Sequence, residues 1–122
     1  MEMATPRIVE STNYPYLEVR FVLRGREQTV WAYVDTGFDG HLAVPRASID
    51  ETTPPDGGFE LQVASGDMVP AQAYFGSLEL IGLTDPLDAW IVALGNEYIL
   101  GRAVIDRFRL TFDHGARLIA EA

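Results

Sequence analysis

Apolar residues recur at every second position over most of the chain, and that period decides what it can become. Leu17, Val19, Phe21 and Leu23 alternate with Glu18 and Arg20. After the turn Arg24-Gly25-Arg26-Glu27 the pattern resumes, with Val30, Ala32 and Val34 on one side and Thr29, Trp31 and Tyr33 on the other. A two-residue period sends successive side chains to opposite faces of an extended strand, so these runs predict a half-buried hairpin. Both tryptophans, Trp31 and Trp90, fall in such runs and are expected to pack.

Downstream, Leu42-Ala43-Val44 ends at Pro45, and Glu51 to Gly58 carries the Pro54-Pro55 and Gly57-Gly58 pairs of a surface connection. Phe59, Leu61 and Val63 then face Val69, Ala71, Ala73 and Phe75 across Ala64-Ser65-Gly66-Asp67, a second hairpin. Strand character continues through Leu78, Leu80 and Leu83 and returns from Leu87 to Leu94. Only Arg102 to Phe108 has helical spacing, and Arg109–Asp113 and Arg117–Ala120 flank the turn His114-Gly115. Many short strands and one short helix predict an all-β barrel or sandwich, a single domain over residues 1–122.

Composition narrows the chemistry. With 48% hydrophobic residues a chain this size builds a core without staples, and it has no cysteine for disulfides, thiolate metal sites or a thiol nucleophile. A net charge of -9 repels phosphate backbones and anionic membrane surfaces, so nucleic acid and membrane are not expected partners. Met1 to Arg7 lacks the basic flank and apolar run of a secretory leader, and no apolar stretch is long enough to span a bilayer. The expected location is cytoplasmic.

The stretch Val34-Asp35-Thr36-Gly37-Phe38-Asp39-Gly40 is where an apolar strand delivers a carboxylate into a glycine-containing loop. Such a loop can hold an acid in a partly desolvated place and leave room beside it. Alone, Asp-Thr-Gly is also an ordinary turn. A second run, Tyr98-Ile99-Leu100-Gly101-Arg102, leads straight into the short helix. Together with the intervening hairpin and the ending Arg107-Phe108-Arg109-Leu110-Thr111-Phe112-Asp113, these motifs resemble the retropepsin-like aspartic peptidases, especially their small cellular members, from the first hairpin to Asp113.

The resemblance implies an acid-protease barrel with a flap hairpin over the cleft, formed by Phe59 to Phe75. It implies that Asp35 is catalytic, that Thr36 braces the loop across a dimer and that Gly37 presents a carbonyl to substrate. It further implies a structural Asp39–Arg102 pair, with Gly101 also structural, and contacts to substrate from Asp39 and from Val69, Pro70 and Ala71 of the flap, with Leu94 a further pocket candidate. Peptide hydrolysis by aspartates needs two carboxylates sharing one proton. The chain has one Asp-Thr-Gly and no Asp-Ser-Gly, and its second apolar-glycine run carries no acid, so the expected enzyme is a homodimeric aspartic endopeptidase acting on extended or unfolded polypeptide. Two acids about 3 Å apart resist joint ionisation, which implies a bell-shaped pH profile.

Other chemistries fit poorly. A calcium loop starting at Asp35 would place Gly37, which has no side chain, at a ligand position and Arg46 where the bidentate Glu belongs. His41 and His114 are the only histidines and are far apart, so no metal or cofactor is expected and both read as ordinary loop residues. Two further readings stay open: a non-catalytic dimeric module of the same fold that binds peptides or partners, and a monomeric β-barrel that recognises a ligand.

Overall fold

The architecture comes from a computed structural model, which describes residues 7–50 and 52–122. Most of the amino-terminal segment considered above for a leader lies outside the described residues. The first hairpin joins β2 (Tyr16–Leu23) to β3 (Arg26–Val34), with Leu23 opposite Arg26. The turn is therefore two residues long, shorter than the four-residue stretch the sequence suggests. Arg24 and Gly25 both take positive φ, 52° and 77°, whose twist matches that of the flanking strands.

Next come β4 (Leu42–Val44), a single 3-10 turn at Arg46–Ser48, β5 (Gly57–Gln62), β6 (Met68–Leu80), β7 (Leu87–Ala93) and β8 (Ile99–Leu100). They form one sheet in the order β2-β3-β8-β4-β7-β6-β5, and β2 pairs again with β6 from Val19↔Leu80 to Val22↔Ser77. That second pairing closes six strands into a barrel and leaves β5 outside it as the free arm of the β5–β6 hairpin. The pairs β3–β8 and β4–β7 are parallel; the other pairings of this sheet are antiparallel.

A separate three-stranded sheet is built from β1 (Ile8–Ser11), β10 (Arg117–Glu121) and β9 (Arg109–Asp113), in that order. The apolar alternation does not predict the strand at Ile8–Ser11. Between β8 and β9 lies α1 (Arg102–Ile105), shorter than the expected Arg102 to Phe108. Arg107 N–H and Phe108 N–H donate to the carbonyls three residues back, at 3.1 and 3.2 Å, so the chain tightens out of the α-helix after one turn.

Two apolar clusters fill the interior. The larger contains Leu17, Val19, Phe21, Val34, Leu42, Val44, Leu78, Ile91, Leu100 and Val104. The smaller contains Phe38, Ala43, Leu61, Ala71, Ala73 and Val92, with Trp90, Leu94 and Ile99 packed against it. β4 sends Leu42 and Val44 to one cluster and Ala43 to the other, which is why its sequence is apolar throughout rather than alternating. Trp90 packs edge to face against Phe59 and Phe75, at centroid distances of 5.0 and 5.4 Å. Trp31, by contrast, is 45% exposed: it stands on the outward face of β3 opposite Glu18, so the expectation that it packs is corrected. No helix among the described residues is long and apolar enough to cross a membrane.

Candidate active site

β3 hands Asp35 directly to a loop that the second apolar-glycine run holds from behind. Asp35 N–H donates to the Leu100 carbonyl at 3.0 Å, extending the parallel β3–β8 ladder by one step. The carboxylate turns back on its own loop, where Oδ1 accepts Gly37 N–H at 2.8 Å. Phe38 N–H donates to the Asp35 carbonyl at 3.3 Å and completes a tight turn. Asp35 and Gly37 are half-buried and Thr36 is exposed, so the acid is partly shielded while its neighbour faces outward.

The run Leu100-Gly101-Arg102 acts through its backbone. Gly101 N–H donates to the His41 carbonyl at 3.0 Å, Arg102 N–H to Phe38 at 2.7 Å and Ala103 N–H to Gly40 at 3.2 Å. The first N–H groups of a helix have no partners within it, and here the Asp35 loop supplies them. The approach is so close that a Cβ on Gly101 would lie 2.2 Å from the Gly40 carbonyl oxygen. Only glycine fits between the two segments.

That backbone clasp replaces the expected ion pair. Asp39 is exposed, no Asp39–Arg102 ion pair exists among the described residues, and Arg102 Nε is buried without a hydrogen-bond partner. The carbonyls of Phe38 and Gly40, on either side of Asp39, are the groups engaged by α1, while the Asp39 side chain stands in solvent.

The β5–β6 hairpin reaches over this loop. Leu61 pairs with Val69 and Phe59 with Ala71, and alternation puts these on the face that carries the smaller cluster. Ala71 is buried there and Val69 is half-buried. Pro70 pairs with Glu60 on the opposite face, where both are exposed, so the three consecutive residues 69–71 do not form one lining. At the tip, Ala64 rests on the Asp35 loop: a Cβ on Gly37 would lie 2.7 Å from Ala64 Cα.

Two supporting contacts were not legible as such in the sequence. Arg24, in the first hairpin turn, donates from Nη1 to Asp56 Oδ2 at 2.8 Å and from Nη2 to the Pro54 carbonyl at 2.9 Å, and Phe75 N–H donates to the same Asp56 oxygen at 2.8 Å. The pair anchors the root of the β5–β6 hairpin to the barrel. The Arg24 hydrogen bond, followed by that of Phe75, holds the Asp56 carboxyl below its usual range. His41 is half-buried rather than a plain loop residue, and Nδ1 accepts Trp90 N–H at 3.4 Å. Burial, with the Arg107 charge adding to it, pushes its pKa below that of a free imidazole and favours the neutral ring that this bond requires. His114 is exposed in the β9–β10 turn.

No protein-family profile matches the chain, and no curated protein sequence matches it. Among solved structures, a retropepsin-like aspartic protease from Rickettsia conorii superposes with a TM-score of 0.52 at 14% identity, over 99% of this chain and 97% of that one. The fold is retropepsin-like. The β5–β6 hairpin is placed like a flap, over a floor made by the Asp35 loop with β4, β7 and β8. The likeness is one of fold; at 14% identity, what the site does rests on its own residues.

Proposed function

We propose that the chain is an aspartic endopeptidase whose active site forms between two copies, each contributing one Asp35. The observation that carries this reading is the Asp35 loop itself: a half-buried carboxylate oriented by Gly37 N–H at 2.8 Å and rooted through its backbone on Leu100, in a retropepsin-like fold. One such acid is half of what peptide hydrolysis requires. Thr36 supports pairing of two loops, because it is exposed beside Asp35 rather than packed within its own chain.

In the dimer one Asp35 is ionised and takes a proton from a water, whose oxygen attacks the peptide carbonyl. The other, protonated, donates to the carbonyl oxygen as the tetrahedral intermediate forms. Collapse breaks the C–N bond, with a proton passing to the leaving nitrogen and the shared proton returning to the pair. Substrate lies extended between flap and floor, and its main chain can hydrogen-bond on both sides. Profiling cleavage of a mixed peptide library by wild type and Asp35→Asn tests this. The variant should keep the fold and lose activity by at least about a hundredfold; equal cleavage by both proteins refutes the assignment.

One contact favours a second reading, a dimeric module that binds peptide without cutting it. Ala64 lies directly on Gly37, so the flap tip occupies space that a scissile peptide would need. A dimer in solution that binds extended peptides and cuts none supports that alternative, and a dimer that binds a statine-containing peptide tightly supports the enzyme.

A further inference from the structure

We infer that Phe38 permanently fills the subsite next to Asp35, so that the substrate side chain lying there must be small. The inference rests on the peptidase reading and deepens it. Phe38 stands three residues after Asp35 in the loop, yet it is only 2% exposed. Its ring occupies the layer between flap and floor, packed with Leu61 and Ala71 from the flap hairpin and with Ala43 and Val92 from the floor. An extended peptide crossing the site beside Gly37 runs along this same layer.

The surroundings are matched to the ring. Ala43, Ala71 and Ala73 are small, and two glycines lie against it: a Cβ on Gly40 would sit 2.6 Å from Phe38 Cζ, and one on Gly101 2.6 Å from Cδ2. These small residues, between Leu61 and Val92, leave a recess that the chain's own aromatic side chain closes. The ring cannot leave with the flap. Its backbone is pinned to the floor on both sides, N–H to the Asp35 carbonyl at 3.3 Å and carbonyl to Arg102 N–H at 2.7 Å. When the flap lifts to admit substrate, Phe38 therefore stays as part of the floor. Bulk can be accommodated instead toward Ile99 and Leu94, which border the same cluster and are only partly buried.

The test is a positional cleavage profile from a proteome-derived peptide library, for wild type, Phe38→Leu and Phe38→Ala. Folding of each is checked by circular dichroism. Wild type should accept Gly, Ala or Ser at one position within two residues of the scissile bond and disfavour Leu and Phe there by about tenfold to a hundredfold in kcat/KM. Phe38→Ala should relax or invert that preference at this position alone, and Phe38→Leu should relax it partially. Phe38→Leu removes less of the side chain than Phe38→Ala and leaves a smaller cavity, so it carries the test if the alanine variant does not fold. Wild type that takes Leu or Phe freely at every such position overturns the inference, as do variants with an unchanged profile, while both results leave the peptidase reading standing. Absence of any cleavage by folded wild-type dimer removes the peptidase reading and this one with it.

Discussion

Replacing Gly101 by alanine puts a methyl group where there is no room for one. Its Cβ would lie 2.2 Å from the Gly40 carbonyl oxygen, 2.6 Å from Phe38 Cδ2 and 2.8 Å from the Phe38 carbonyl oxygen. The backbone is not the obstacle, since φ is -104° and any residue adopts it. The cost comes from crowding, and two of the three crowded atoms are main-chain oxygens that cannot swing aside. Both are also engaged, the Phe38 oxygen by Arg102 N–H and the Gly40 oxygen by Ala103 N–H. Overpacking costs about 1–3 kcal/mol, and stretching those two hydrogen bonds adds about 1 kcal/mol each. Alanine recovers about 0.4–1 kcal/mol by restricting the unfolded chain. The net loss is about 2–5 kcal/mol, which lowers the melting temperature by roughly 8–20 °C.

Gly25→Ala provides the contrast. Nothing lies within 4 Å of a Cβ there, but φ is +77°, so its cost is dihedral strain alone, about 1 kcal/mol. Urea unfolding followed by tryptophan fluorescence, with both variants at one protein concentration, compares the two. The reasoning fails if Gly101→Ala loses no more stability than Gly25→Ala, because the clasp between the Asp35 loop and α1 would then have slack the structure does not show.

The remaining predictions concern pH. Asp56 is held below its usual carboxylate range chiefly by Arg24, so its contribution is present above about pH 4 and disappears as pH falls through its folded value. Wild type and Asp56→Asn should differ in melting temperature at neutral pH and converge in acid; parallel curves refute the link. His41 has a lowered pKa, so the folded chain resists protonation, and its contribution is present above about pH 6.5 and lost as pH drops further. His41→Gln should flatten the fall in melting temperature between about pH 7 and pH 5 relative to wild type; an equally steep fall in the variant removes His41 as its cause.

The alternating runs were legible because a strand's face is set two residues at a time. The first hairpin, the flap hairpin and the β9–β10 pair all lie where the apolar period puts them. Ile8–Ser11 was not legible, because a four-residue edge strand takes its conformation from β10, more than a hundred residues away. The helix ran short for a related reason: the spacing of Val104 and Phe108 fits a helix, but the chain must turn into β9, and one tightened turn achieves that. The Asp35 loop was located by residue type, an acid at the end of a buried strand followed by glycine. The Asp39–Arg102 pair failed because residue type says nothing about whether side chains or carbonyls will hold a helix end.

The order of residues alone determined that this chain would be a sheet protein and that Asp35 would stand where an apolar strand opens into a loop. Both are local facts, fixed by alternation and by what glycine permits nearby. Closure of the barrel decided the rest. It buried Phe38 under the flap, joined Arg24 to Asp56 across 32 residues and brought Trp90 to His41 across 49. Contacts at that separation exist only once strands have closed on one another, because their partners are chosen by the register of the whole sheet and not by any neighbour in the chain.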